Sequence, residues 1–447
     1  MNYGELILSK VIEANDVNAL ARFNITISDF QTQEEKDAFV FIKEYASQNR
    51  NNAPDYRTLI NNVPGFNFRE SVSDSFDYMS KQLKEYSTQV KIMQLLQGEA
   101  TENFETMKGF EFADWLSTRV QDIKNGANYR TKIGTDLVHD TNDFMTEYKA
   151  RKRGESFRIW KSAFPTMNDT IGGYLSGNVY TWYGRSGRGK SIFTMVEALE
   201  SALQGATVLV WAMEIPKFDW LARAYAYLSA KQELQKHHIG GTSYTAGFEA
   251  NKLMQGKLSD INEEAFEDFL RNLNTWIPGK IIIRAVDDVD FYSRGCNQLE
   301  SDILQTKADV VLIDPIYYMD YERNTSNTAG GDVANTSKKI RHIAGHTKTV
   351  IHVITQAEEI RNDRDENGER ILKAPERAEI KKTKAVLEDA TNTFGIDSLD
   401  GRFLIRIGKG RNGGEGTEIE GTYLPSIGLV KEFTKEEIVE EFEGFDF

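Results

Sequence analysis

The segment Gly184–Ser191 reads GRSGRGKS and satisfies G-x-x-x-x-G-K-[ST]. No other feature of the chain restricts its fold as tightly. Glycines let successive backbone N–H groups turn inward around phosphates, Lys190 reaches the outer phosphates, and Ser191 offers a hydroxyl to Mg²⁺. The loop works only between a strand and a helix, because the helix must aim its positive end at the anion. The flanks comply: VYTWY (Val179–Tyr183) is a β run and SIFTMVEALESALQ an amphipathic helix. Gly184, Arg185, Ser186, Gly187, Arg188, Gly189, Lys190 and Ser191 are therefore the candidate nucleotide-binding set, with ATP or another NTP and Mg²⁺ as expected ligands.

The rest of the chain supplies the sheet this loop needs. VYTWY, TVLVWAM, KIIIRAV, DVVLIDPI, TVIHVIT and RFLIRI are continuous apolar runs between Phe164 and Phe433. Such runs predict a parallel sheet buried on both faces, with helices between the strands. Residues 1–125 read differently. Ala38, Phe39, Ile42, Tyr45 and Ala46 fall at helical spacing, and further helices are expected near 76–97 and 110–124. This stretch has no histidine, cysteine or glycine-rich loop, which suits a docking or oligomerisation domain. Residues 126–158 are polar and mixed in charge, the composition of a linker, with one short helix-like piece (DFMTEYKARK).

Composition excludes several classes. At 447 residues, with 27% charged and 11% aromatic residues, the chain is long enough for about two to four domains. A single cysteine, Cys296, rules out an internal disulfide and fits a cytoplasmic setting. No apolar stretch reaches membrane-spanning length, so no membrane partner is expected. The net charge of −14 means that any nucleic-acid contact must come from a local basic region.

Two carboxylates complete the chemistry. DVVLIDPI ends a strand in Asp314, where a ligand to Mg²⁺ belongs, although a turn-favouring aspartate also fits. Pro315 follows, so the adjacent Asp-Glu pair of AAA+ machines is absent. TVLVWAMEIP runs into Glu214 instead, a carboxylate able to orient water, or else a helix cap.

The order of motifs resembles the RecA-type core of DnaB-like replicative hexameric helicases (superfamily 4), including bacteriophage members. FPTMNDTIGGYLSGNVYTWYGRSGRGKS, VLVWAMEIP, VVLIDPIYYM, VIHVITQAEE and IGKGRNGGEGT carry the likeness from about 160 to 433, with a fainter likeness over 1–125. The resemblance implies an α/β fold: a RecA-like parallel sheet with flanking helices over 159–433, preceded by a small all-α domain and a helical linker. It implies an ATP-dependent DNA helicase, a homo-hexamer moving 5′ to 3′ on single-stranded DNA at a replication fork. In the roles it carries over, Lys190 and Ser191 hold phosphate and Mg²⁺, Asp314 is the second metal residue, and Glu214 is the catalytic glutamate. Gln356 senses the outer phosphate, or else is a structural hydrogen-bond hub. Lys409 and Arg411, in GKGRNGG, are the pair inserted into a neighbour's site, or else a solvated basic turn. The helix near 143–153 would pack on the adjacent subunit.

The same resemblance places DNA-gripping loops at about 321–337 and 358–395. Residues 338–384 hold 12 Lys/Arg against 8 Asp/Glu, and no acid occurs between Lys338 and Ala357. Arg323, Asn324, Lys338, Lys381, Lys382 and Lys384 are the candidate DNA contacts, suited to sequence-independent backbone binding. The acidic, aromatic tail 434–447 resembles segments by which phage replication proteins hold partners, such as a polymerase; a primase or loader is a further expected partner. If phage-encoded, the protein would act in the bacterial host cytoplasm. Two other readings share the core: a RecA/RadA-like recombinase, and a nucleotide-switched helicase loader. The helical first third and Lys409-x-Arg411 favour the helicase.

Overall fold

The structure is a computed structural model that describes residues 2–126, 136–138, 141–324, 328–358, 363–380, 384–411, 413–434 and 436–437. The chain divides into two units, Met1–Thr141 and Asn142–Phe447. No helix among the described residues is long and apolar enough to cross a membrane.

The first unit is helical. Its helix Gln33–Gln48 starts in a capping box: Glu35 N–H donates to Thr32 Oγ1 at 3.2 Å, and Thr32 N–H donates to Glu35 Oε2 at 3.1 Å. Ala38, Phe39, Ile42 and Ala46 are buried on one face, with Tyr45 half-buried at its edge. They pack with Ile7, Leu8 and Val11 of helix Tyr3–Glu13 and with Met79 and Leu83 of helix Phe76–Gln97. One ion pair sits within this core: Lys84 Nζ lies 2.6 Å from Asp29 Oδ2, both shielded from solvent. Helices Glu99–Thr106 and Gly109–Gly126 follow.

The second unit is built on a nine-stranded sheet. Its strands, in chain order, are β1 (Val179–Gly184), β2 (Thr207–Ala212), β3 (Lys280–Ala285), β4 (Val310–Asp314), β5 (Val350–Gln356), β6 (Asn392–Leu399), β7 (Arg402–Gly410), β8 (Glu418–Leu424) and β9 (Leu429–Glu432). Across the sheet the order is β9-β8-β7-β6-β1-β5-β4-β2-β3. From β6 to β3 all pairings are parallel; from β6 outward to β9 they are antiparallel.

The continuous apolar runs have a direct cause. Val208, Val210 and Ala212 of β2 join one core, while Leu209 and Trp211 join the other. Successive side chains point to opposite faces, and both faces are covered by helices. The expectation of an α/β RecA-like unit holds, with one correction. RFLIRI, expected in the parallel sheet, forms β7 in the antiparallel extension. The strand that flanks β1 is instead NTFGIDSL, whose buried Asn392, Thr393 and Asp397 disguise it.

Candidate active site

β1, β2, β4 and β5 end at the same edge of the sheet, and the phosphate loop leaves β1 at that edge. Gly189 sits at φ 91°, in the left-handed region, immediately before the helix Lys190–Leu203. A side chain there would be strained and would collide with the Tyr423 hydroxyl, so glycine is required. Gly184 is required for closeness: a Cβ there would lie 2.8 Å from the carbonyl oxygen of Ile396.

The loop borders a cleft of about 680 Å³. Lys190 and Ser191 line it from the helix start, Glu214 from the end of β2, Asp314 from β4 and Gln356 from β5. The strand topology thus brings together residues spread over 167 positions, from Gly189 to Gln356. Lys190 Nζ donates to the Arg185 carbonyl oxygen at 2.9 Å, and Ser191 Oγ donates to Asp314 Oδ1 at 3.0 Å. Burial pushes the Asp314 carboxyl up to about 7; nearby Glu214 adds to the rise, and the Ser191 hydrogen bond and the Lys190 charge oppose it. A divalent cation would reverse that balance. One hydroxyl and one carboxylate, both hard oxygen donors in contact, fit Mg²⁺ with water completing its shell.

Three lining residues escaped the sequence reading. Arg223, on helix Lys217–Lys231, adds a second cation to the cleft. Tyr317 lies beyond Asp314, its hydroxyl held well above the usual phenol range by burial and by the charges of Glu214 and Asp314. Tyr423 on β8 stacks on Phe193, with ring centroids 5.2 Å apart and planes 13° apart. Arg223, nine positions beyond Glu214, shares a helix that a reader could have searched. Tyr423, in the polar strand EIEGTYL, carries no such signal.

Other predicted residues fall elsewhere. The Arg185 side chain does not line the cleft: it is buried against Glu379 at 2.7 Å and donates to the Lys373 carbonyl at 3.1 Å. Only its backbone is available to a phosphate. Lys409 and Arg411 also lie off their own chain's cleft. Lys409 Nζ donates to the carbonyls of Leu387, Glu388 and Ala390 at 3.1, 2.6 and 2.8 Å, closing helix Ala385–Asp389. Its pKa is lowered by burial and by the Arg411 and Arg377 charges. Arg411 is exposed, and its guanidinium makes a long contact, 3.5 Å, to the Glu388 carbonyl.

The expected DNA loops need correction. Helix Gly331–Thr347 begins inside the 321–337 stretch, so Lys338 stands on an exposed helix face, not in a loop. Asn, Thr and Ser in GDVANTSKK hid the helical burial of Val333, Thr336, Ser337 and Ile340. Arg323 and Asn324 do lie in irregular chain, tied by Asn335 Nδ2 to Arg323 O (2.9 Å) and Asn324 Nδ2 to Thr328 O (2.8 Å). The 358–395 stretch contains a 3₁₀ turn (Arg377–Glu379), helix Ala385–Asp389 and the start of β6. Lys384 is exposed just before that helix. Lys381 and Lys382 lie outside the described residues, as does most of the 434–447 tail. The predicted linker helix spans Thr141–Lys152 and buries none of its residues within this chain.

The comparisons agree with this geometry. A family model described as an AAA domain matches residues 147–357. A solved structure described as a DnaB-like replicative helicase, studied for its interactions with primase, superposes with a TM-score of 0.67 at 12% identity, covering 96% of this chain and 98% of that one. The chain is DnaB-like in fold. The DnaB-like likeness extends to a second solved structure, the ATPase domain of another helicase, with a TM-score of 0.51 at 14% identity, covering 67% of this chain and all of that one. No curated protein matches the sequence.

Proposed function

We propose that the protein is an ATP-driven DNA helicase of the replicative type, working as a homo-hexameric ring on single-stranded DNA. The observation that carries this reading is the convergence of Lys190, Ser191, Glu214, Asp314 and Gln356 on one cleft at the ends of four parallel strands. A nucleotide-switched loader needs the phosphate loop; a hydrolase also needs a carboxylate placed to orient water and an amide beside the outer phosphate.

Each residue then has a task. Lys190, released from the Arg185 carbonyl, neutralises the β- and γ-phosphate oxygens. Ser191 and Asp314 would hold Mg²⁺, whose charge would offset that of the bridging phosphate oxygens. Glu214 orients the attacking water and accepts its proton. Gln356, at the end of β5, hydrogen-bonds near the outer phosphate and passes its presence into the chain that follows.

Neither residue of the predicted trans pair lines this chain's own cleft, so in this reading the cation that stabilises the transition state comes from a neighbour. Arg411 suits that task, being exposed on the turn after β7. Lys409 is the residue that holds the turn in place. Arg323, Asn324, Lys338 and Lys384, with Lys381 and Lys382 in the same basic stretch, supply backbone contacts to the strand. A fork-unwinding assay with ATP tests the reading: strand separation by the wild type and its loss in Glu214→Gln support it. Strand exchange without unwinding would place the protein with recombinases instead.

A further inference from the structure

The phosphate loop carries two arginines, and one of them faces away from the phosphates. Arg185 is 3% exposed, and its guanidinium meets the Glu379 carboxylate, itself 6% exposed, at 2.7 Å. Two charges persist out of water only when they pair and gain further hydrogen bonds from their surroundings. Both partners of this pair have such support: Arg185 Nη1 also donates to the Lys373 carbonyl, and Glu379 Oε1 accepts from the Glu376 backbone N–H at 3.2 Å.

The second arginine points toward the same stretch. Arg188, which lines the cleft, has Nε 3.8 Å from Asp397 Oδ1. The fully buried Asp397 carboxylate is shared: Arg370 pairs with it, and the Lys373 backbone N–H donates to it at 2.9 Å. Two loop arginines are thus tied, directly or through β6, to residues 370–379. That stretch also borders the end of β5. Ala357 forms an antiparallel bridge with Ile380, and Glu358 N–H donates to the Glu379 carbonyl at 2.6 Å. In sequence it leads straight into the basic run Lys381–Lys384.

We infer that residues 373–380 are a strut coupling nucleic-acid binding to the phosphate loop, with Arg185 and Glu379 as positioning residues for nucleotide turnover. The inference deepens the proposed function and rests on it for the identity of the activating ligand. Mechanically, Arg185 joins two contacts in one residue: its carbonyl holds Lys190 and its guanidinium holds the strut. A shift of the strut moves the backbone that carries the catalytic lysine, and through Ala357 it moves Gln356. The Arg185 position in the loop signature is therefore a transmission point, beyond its backbone's part in the phosphate cradle.

Two measurements on the full chain test this. In wild-type protein, hydrogen–deuterium exchange over 373–380 is compared with and without a non-hydrolysable ATP analogue. The strut predicts exchange slowed at least about fivefold, the lower end of ordinary site-to-site coupling. Unchanged exchange there overturns it. In Glu379→Gln, turnover is measured with and without oligothymidylate. The ratio should fall at least about fivefold while the unstimulated rate stays within about twofold, a split that a merely structural role would not produce. A ratio equal to wild type overturns the inference. If wild-type turnover shows no response to oligothymidylate, the helicase reading fails, and the exchange experiment still decides the strut. The same experiment decides it should Glu379→Gln fold too poorly to assay.

Discussion

Ser191 Oγ donates a 3.0 Å hydrogen bond to Asp314 Oδ1 across the gap between the phosphate-loop helix and β4. The two residues lie 123 positions apart in sequence. Their contact forms because β1 and β4 flank β5 in the sheet and end at the same edge. This pair is the expected cradle for a hard divalent ion, and its disruption has a defined outcome. Asp314→Asn should raise the Mg²⁺ concentration needed for half-maximal hydrolysis about 10- to 100-fold. Mg²⁺ titrations of ATP turnover measure this directly; an unchanged requirement would remove Asp314 from the metal site.

Lys409 and Arg411 are two residues apart and should fail in different ways. Lys409 closes a helix end through three carbonyls, so Lys409→Ala should lower stability by about 1 kcal/mol along with activity. Arg411→Ala should leave the melting temperature unchanged and nucleotide binding within about threefold, while turnover falls about a thousandfold or more. Calorimetry and steady-state kinetics on the two variants separate the roles. Equal loss of stability in both would reject the division.

Glu197 predicts a pH effect on stability that is independent of catalysis. It is fully buried on the phosphate-loop helix, accepting from Ser162 Oγ at 2.7 Å and from Ala163 N–H at 3.3 Å. Burial pushes its carboxyl up to about 8, against hydrogen bonds that pull it down. The folded state therefore holds the proton more tightly than the unfolded state. The resulting stability is present below the ordinary carboxylate pKa and is lost as pH rises toward 8, at about 1.4 kcal/mol per pH unit across the window. Glu197→Gln should flatten that decline between pH 5 and pH 8, as read by thermal unfolding at each pH. An equally steep decline in the variant would show that another group carries it.

How much of this was legible follows from where polar residues are buried. β1, β2, β4 and β5 could be read as strands because both of their faces meet apolar cores, and the loop signature placed Lys190 and Ser191 at once. β6 was hidden: Asn392, Thr393, Asp397 and Ser398 are all buried, and a polar strand carries no apolar run. The helix Gly331–Thr347 was read as loop for the same reason, its first turns being rich in Asn, Thr and Ser. Glu214, Asp314 and Gln356 could be placed at strand ends, but their meeting in one cleft depends on strand order, which local pattern does not carry. Arg185 shows the converse limit. The loop signature marks the position, yet only the fold reveals that its side chain turns toward Glu379.

Single-strand binding should be dominated by backbone phosphates. Arg323→Ala and Lys384→Ala, both at exposed positions, should each weaken binding alike for different sequences. Each should reduce the slope of log affinity against log salt by about 0.7. Fluorescence anisotropy with oligothymidylate and a mixed-sequence strand at several salt concentrations checks both points. A sequence-dependent loss would assign these residues to base reading instead.

The central claim is that a site assembled from two copies of the chain hydrolyses ATP, with Glu214 in one copy and Arg411 from the next. The most direct measurement mixes two inactive variants, Glu214→Gln and Arg411→Ala, in equal amounts and follows ATP turnover with single-stranded DNA present. In a randomly mixed ring about one interface in four joins an intact Glu214 to an intact Arg411, so turnover should recover toward about a quarter of wild type. A mixture that exchanges subunits yet stays as inactive as its two components would contradict the account.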